Sequence, residues 1–328
     1  MAATDTALLE TEYRTLREAC GLVDRSERGK LALTGSQAVE FLNGQVTNEL
    51  ADLGPGEGRY AAFLTHKGKM LGDVRILAVG EGACDAPPGL LLDTERVALH
   101  ELFDMIRRFK IGYDVELHKR TLERGLLSLI GPESERIAGA EQLAGSEHAN
   151  ECLEIGPIPA LAVRTDVGID LICDATGAER LTRELLGRGA APVTPEAAEC
   201  LRVERGRPRY GIDLDSSTIP QEAGLNERAV SFTKGCYVGQ ETVARLYSQG
   251  KPNRHLRGLR LSALADCGED LRLAERSVGR LGSAVVSPAL GPIGLALVRR
   301  EAEPGARVSV GERGVSALVT ELPFIADG

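Results

Sequence analysis

From about residue 250 onward the chain breaks into short runs of alternating apolar and polar residues at regular spacing, 256–261, 280–286, 293–298, 306–310 and 315–322. Gly291-Pro292, Pro304-Gly305 and the stretch from Gly311 to Gly314 punctuate them. Period-two runs of this length bury one face and need neighbours on both edges, so they predict a small antiparallel β-barrel or sandwich. Upstream, helical and strand patterns mix without a regular βαβ alternation, which predicts an α+β core. At ~150 residues per domain, 328 residues make about two domains, read as 1–248 for the core and 249–328 for the β-rich part.

Within the core, Leu9, Tyr13, Leu16 and Cys20 recur at helical spacing and stop at Gly21, while Leu31 and Leu33 predict a strand and 36–43 a capped helix. The turn containing Gly54, Gly56 and Gly58 lacks the strand-before, helix-after setting of a dinucleotide loop. Runs 60–64 and 73–79 predict a β-hairpin around the polar loop 65–69. Asp93 or Thr94 is placed to cap a helix carrying Val97, Leu102, Met105, Ile106 and Phe109, and a strand is expected over 111–117. Residues 131–160, rich in Gly, Glu and Ala with Pro157 and Pro159, predict a loose connection. Helical pattern returns over 178–188 and 194–205.

Charge and composition exclude several classes. With 39 Lys+Arg against 48 Asp+Glu, a net charge of −9, no Trp, and only 6 Phe and 6 Tyr, the chain is a poor match to a surface built on phosphate contacts and base stacking, so no direct nucleic-acid partner is expected. The seven cysteines are scattered, without C-x-x-C or a Cys/His cluster, so neither a disulfide framework nor a zinc site is expected. No basic-then-apolar leader opens the first thirty residues, and no apolar run reaches the ~18 residues of a membrane span. The expectation is a reduced, cytoplasmic, soluble protein with no membrane partner.

Three features carry chemistry. Thr194-Pro195-Glu196 opens a well-signalled helix whose apolar stripe, Ala197, Cys200 and Leu201, continues onto Glu204. A carboxylate on the core side needs compensation, either from Arg202, Arg205 or Arg207 nearby, or from a ligand with two adjacent N–H donors, such as a pterin. Second, Lys234-Gly235-Cys236-Tyr237-Val238-Gly239-Gln240-Glu241 sets a cysteine between glycines ahead of a helix in which Glu241 and Arg245 stand one turn apart. A thiolate is favoured beside a lysine and a helix N-terminus, although most free cysteines are small buried hydrophobes. Third, Arg245, Lys251, Arg254, His255 and Arg257 crowd together, either as a site for a carboxylate-bearing tail or as a solvated face. His66, His100, His118 and His148 are isolated, none beside a nucleophile.

The octet 234–241 resembles the signature of the YgfZ branch of the folate-binding family related to the glycine-cleavage T-protein. The resemblance runs through Thr34-Gly35, Gln45 to Asn48, Leu64 to Gly68 with Asp73, Leu201 to Gly211, Pro220 to Glu222, Ser287-Pro288 and Leu322 to Phe324. It implies an α+β ring of three lobes around a central folate channel, two interwoven lobes forming the core and a C-terminal β-barrel the third. It also implies tetrahydrofolate as cofactor, Glu204 as the pterin-binding carboxylate and Asp73 near the reactive folate nitrogen, with Arg245 and Arg254 as candidates for the folate tail. Two segments depart from T-proteins: Gly72-Asp73 stands where an Asp-Asp pair is usual, and Arg164 to Gly168 replaces a Tyr-Thr-Gly-Glu segment. With Cys236 and Lys234 as branch-specific chemistry, the resemblance implies support of iron–sulfur cluster assembly or repair. The expected partners are iron–sulfur assembly proteins or client iron–sulfur enzymes, including those that modify tRNA. The alternative is a folate-dependent aminomethyl or one-carbon transferase.

Overall fold

A computed structural model describes residues 3–80, 84 and 89–324. The chain opens with α1 (Ala3–Glu18), β1 (Gly21–Asp24), β2 (Gly29–Thr34), α2 (Ala38–Asn43) and the hairpin β3 (Gly58–Leu64) and β4 (Met70–Val79). It continues through β5 (Gly89–Thr94), α3 (Leu99–Phe109), β6 (Glu116–Lys119), β7 (Arg124–Ile130), α4 (Ser134–Ala138), β8 (Asn150–Ile155), β9 (Ile158–Arg164) and β10 (Gly168–Asp174). A 3-10 turn leads into α5 (Ala178–Gly187), β11 (Ala191–Pro192), α6 (Pro195–Glu204), α7 (Asn226–Ala229) and α8 (Gln240–Gln249). The last stretch holds β12 (Arg254–Leu261), β13 (Asp270–Leu273), β14 (Arg276–Ser287), β15 (Gly291–Arg299), β16 (Arg307–Val310) and β17 (Val315–Thr320).

These strands form three sheets: an antiparallel five-stranded sheet β3-β4-β5-β2-β6, a six-stranded sheet β11-β1-β7-β10-β9-β8, and a closed six-stranded barrel β12-β15-β14-β13-β16-β17. The barrel expected from the C-terminal texture is present and fully antiparallel. Closure leaves no unpaired edge, and inward residues such as Leu259, Leu281, Ala296 and Val319 fill it. Most of β4 is buried, because it lies inside its sheet between β3 and β5. Gly72 on β4 faces the core, where a Cβ would meet Ala98 and the Phe63 ring at 2.6 Å. Its neighbour Asp73 takes the opposite face, as strand alternation requires.

Several local expectations are corrected. Asp93 and Thr94 end β5 and cap nothing: Asp93 is held by Arg28 and Arg75, and α3 starts behind Ala98 with no side-chain cap. The strand expected over 111–117 shortens to 116–119, leaving Ile111 83% exposed in a turn. The loose connection expected over 131–160 contains α4 and the start of a β8–β9 hairpin, with Gly156-Pro157 as its turn. Thr194 precedes α6 as expected, yet its hydroxyl bonds Glu12 on α1 in place of the helix backbone. The sixth barrel strand, β13, has no sequence counterpart: it is only four residues long, too short a run to stand out, and the bulge in its pairing falls on β14. Cys84 and Cys152 form a disulfide, against the reading of a chain without one, and tie the segment after β4 to β8. Cysteines 68 residues apart carry no local signal that they meet. Among the described residues, no helix is long and apolar enough to cross a membrane.

Candidate functional site

The two core sheets, α6 and the loop after it surround a cavity open to solvent, with about 1110 Å³ of space, mouth included. The five-stranded sheet contributes Tyr60, Asp73, Arg75 and Asp93; the six-stranded sheet contributes Ser128, Ile130 and Asp170. Helix α6 adds Ala198, Leu201 and Arg202, its following loop Arg205, Arg207 and Arg209, and α7 adds Arg228. Arg25, Arg28, Glu95, Glu147, His148 and Asp166 add to the polar wall.

Eight arginines and six carboxylates line this cavity, so a chain of net charge −9 has gathered an excess of positive charge at its centre. Most of these arginines are paired. Arg75 bridges the sheets, bonding Asp170 at 2.7 Å and Asp93 at 2.9 Å. Arg202 joins Glu199 and Asp213, Arg207 joins Asp166, and Arg228 joins Glu147. Arg25 forms no ion pair with a described residue, and burial pulls its pKa below the usual arginine value. An unpaired, partly desolvated guanidinium is a ready receptor for a carboxylate or phosphate.

Asp73 is 7% exposed. The Tyr60 hydroxyl donates to its Oδ2 at 2.6 Å, and Thr94 Oγ1 donates to its backbone carbonyl at 2.5 Å. Burial pushes the Asp73 carboxyl above the ordinary value of 3.8, the Tyr60 hydrogen bond opposing only in part. Burial and the adjacent carboxylate drive the Tyr60 phenol well above 10. The pair therefore offers a fixed carboxyl poised to hold or accept a proton.

Glu204 is 1% exposed and lies outside the main cavity, lining a second cleft that shares Leu201, Arg205 and the 165–167 segment with it. Among the described residues, its partners are hydroxyls and not the nearby arginines. The Tyr13 hydroxyl donates to Oε2 at 3.0 Å and the Ser287 hydroxyl donates to Oε1. A carboxylate has about four lone-pair positions, so these two donors leave acceptor capacity toward the cleft.

The octet divides by direction. The Lys234 ammonium turns inward to oxygens of Asn43, Val46 and Asn48, at 2.5–3.0 Å, and burial lowers its pKa to about 8. It is therefore a tie across the core, and its charge is committed there, not to Cys236. Cys236 is free and exposed. Tyr237 is buried, with Lys234 Nζ 5.3 Å from its ring centre. Gly239, with φ 86°, caps α8 where a Cβ would strike the Thr65 carbonyl at 2.6 Å. Gly235 is open to its surroundings, and Gln240 and Glu241 form the first turn of α8. None of these residues lines the cavity. Arg245 is exposed on α8, and Arg254 is held by both oxygens of Glu222 and by Ser217, so neither candidate for a ligand's tail reaches the channel. Arg25, Tyr60, Arg75, Asp170 and Arg228 line the cavity without having been singled out in the sequence, and His148, set aside there as isolated, lines it too; each looks like an isolated polar residue until the sheets assemble.

Two core sheets and helix α6 around an arginine-rich cavity make an α+β protein with a site suited to an anionic ligand. The chain belongs to the family described by the GCVT N-terminal domain, whose model matches residues 3–234. It is 31% identical to an aminomethyltransferase of Rubrobacter xylanophilus over 96% of this chain and 86% of that protein. It is also 31% identical to an aminomethyltransferase of a Synechococcus species, over 96% and 90%. The fold matches the glycine cleavage system aminomethyltransferase T of Bartonella henselae with a TM-score of 0.83, at 24% identity, covering 97% of this chain and 89% of that one.

Proposed function

We propose that the channel binds a reduced folate and that the protein transfers a one-carbon unit to or from it, as the names of its relatives favour. The carrying observation is Asp73: a buried carboxyl with a raised pKa, oriented by Tyr60, on the wall of a channel with excess positive charge. Bound tetrahydrofolate would supply the nucleophilic nitrogen that carries the one-carbon unit. Asp73 would take up or return a proton beside it, Arg25 would bind a tail carboxylate, and Leu201 and Ile130 would exclude water from one side. The lining fits such a ligand because it combines an unpaired guanidinium with a buried carboxyl. The absence of a second acid at 72 does not weaken this reading. A side chain there would enter the core, so a pair at 72–73 could place only one carboxylate in the channel.

Calorimetric titration with tetrahydrofolate tests the proposal. Micromolar or tighter binding is expected. Arg25→Ala should weaken it about tenfold or more, as expected for a charge-assisted hydrogen bond worth ~1.5–3 kcal/mol, with added salt shrinking the difference. Glu204→Gln should weaken it too if the free lone pairs face the pterin; an unchanged affinity in the folded variant would leave Glu204 as a structural clasp. No heat of binding for the wild type would end the folate reading.

A second reading, folate-linked support of iron–sulfur enzymes by a YgfZ-type protein, is favoured by one observation: Cys236 is exposed and away from the channel, where a partner could reach it. One cysteine cannot hold a conventional cluster, which takes about four ligands, so a partner or small thiol would have to complete it. Cys236→Ala should then fail to restore iron–sulfur enzyme activity in cells lacking the protein, while folate affinity is unchanged. Full restoration would remove thiol chemistry from the function.

A further inference from the structure

His148 sits in the channel wall with its ring buried and, among the described residues, with no hydrogen-bond partner at either nitrogen. The nearest carboxylate oxygen, Glu147 Oε1, is 3.7 Å from Nε2, beyond hydrogen-bond reach. The backbone around it is held firmly in a costly conformation. His148 has φ 70°, a left-handed value uncommon outside glycine. Its N–H donates to the Arg164 carbonyl at 2.9 Å, and Gly58 packs so closely that a Cβ there would meet the His148 Cβ and carbonyl at 2.6 Å. Strained, over-determined backbone clusters at active sites and ligand clamps, and a buried imidazole without a protein partner in a cavity wall is placed to take one from a bound molecule.

Its surroundings indicate which part of a ligand that is. The imidazole lies 6.3 Å, centre to centre, from the ring of Tyr60, whose hydroxyl holds Asp73. Arg228 covers the Tyr60 ring at 5.1 Å and is itself paired with Glu147. Burial and Arg75 lower the His148 pKa to about 4, against weaker opposition from Glu147 and Asp170, so at neutral pH the ring carries one donor and one acceptor and no charge. Carboxylates are served by the arginines; a neutral imidazole suits an uncharged heteroaromatic edge bearing N–H and ring nitrogen.

We infer that His148 is a ligand-contacting residue whose imidazole hydrogen-bonds the pteridine edge of a reduced folate, on the Tyr60–Asp73 side of the channel. This rests on the folate reading above. The test is nitrogen-15 NMR of the histidine ring nitrogens in the wild-type protein, titrated with tetrahydrofolate and, separately, with p-aminobenzoylglutamate, which has the tail but no pteridine. The His148 nitrogens are expected to shift with the first and not with the second. In parallel, His148→Phe should raise the Kd for tetrahydrofolate about tenfold, the size of one lost hydrogen bond, and His148→Gln should recover part of it. Wild-type binding with unmoved His148 signals and equal affinity in His148→Phe would overturn this inference and leave the folate reading intact. Equal shifts with both ligands would also overturn it, by assigning His148 to the tail. Absence of any tetrahydrofolate binding by the wild type would overturn both.

Discussion

Asp73→Asn is expected to slow one-carbon transfer to tetrahydrofolate by ~10²–10⁴-fold, the usual contribution of a positioned general acid or base, while reduced folate still binds. Asn has the same shape, and its Oδ1 can still accept from Tyr60, so the hairpin of β3 and β4 should be undisturbed. What is lost is the ability to take a proton. Because burial raises the Asp73 pKa, the wild-type rate should climb with pH through a midpoint above 3.8 as the carboxyl ionises, and the variant should lack that limb. Single-turnover measurement with an aminomethyl or methylated donor, from acid to neutral pH, reads both effects. Equal rates in the two proteins would show that the carboxyl only shapes the wall.

The largest loss of stability is expected at Arg75. Its guanidinium lies buried between Asp93 of the five-stranded sheet and Asp170 of the six-stranded sheet, and Ser128 donates to the other oxygen of Asp170 at 2.6 Å. Arg75→Met leaves Asp170 without its ion-pair partner, Arg25 acting on it only from beyond pairing distance; Asp93 keeps Arg28. Removing one partner of a buried pair costs ~3–5 kcal/mol because a charge is left desolvated and unopposed. The denaturation midpoint should fall with its slope nearly unchanged. Adding Asp170→Asn should return part of the loss, since the stranded charge is then gone. A drop below ~1 kcal/mol would place Arg75 among ordinary surface pairs.

The barrel is legible because five of its six strands are local patterns bounded by their own turns. The six-stranded sheet is less so: the Gly156-Pro157 turn of β8 and β9 has the composition of a linker, and only pairing reveals two strands. Asp93 and Thr94 look like a helix cap because they precede an amphipathic run, and tertiary partners on β2's approach and on β4 override that local preference. The channel is the hardest part to read. Arg25, Asp73, His148, Asp170 and Arg228 come from segments far apart in sequence, so neither periodicity nor spacing links them. Lys234 and Cys236 show the reverse problem, neighbours in sequence that face opposite ways, one to buried carbonyls and one to solvent.

Helix α6 ends in a knot. The Glu204 carboxylate gathers Tyr13 from α1 and Ser287 from β14, and its own carbonyl accepts from the Phe324 N–H at 2.8 Å. Three regions distant in the chain therefore meet on one residue beside the cleft. The consequence is mechanical coupling: a fluctuation that lifts the N-terminal helix tugs on the barrel, and fraying near Phe324 loosens the helix that lines the channel. Opening of the two chain ends should accordingly be correlated, and a ligand seated against α6 would damp both at once.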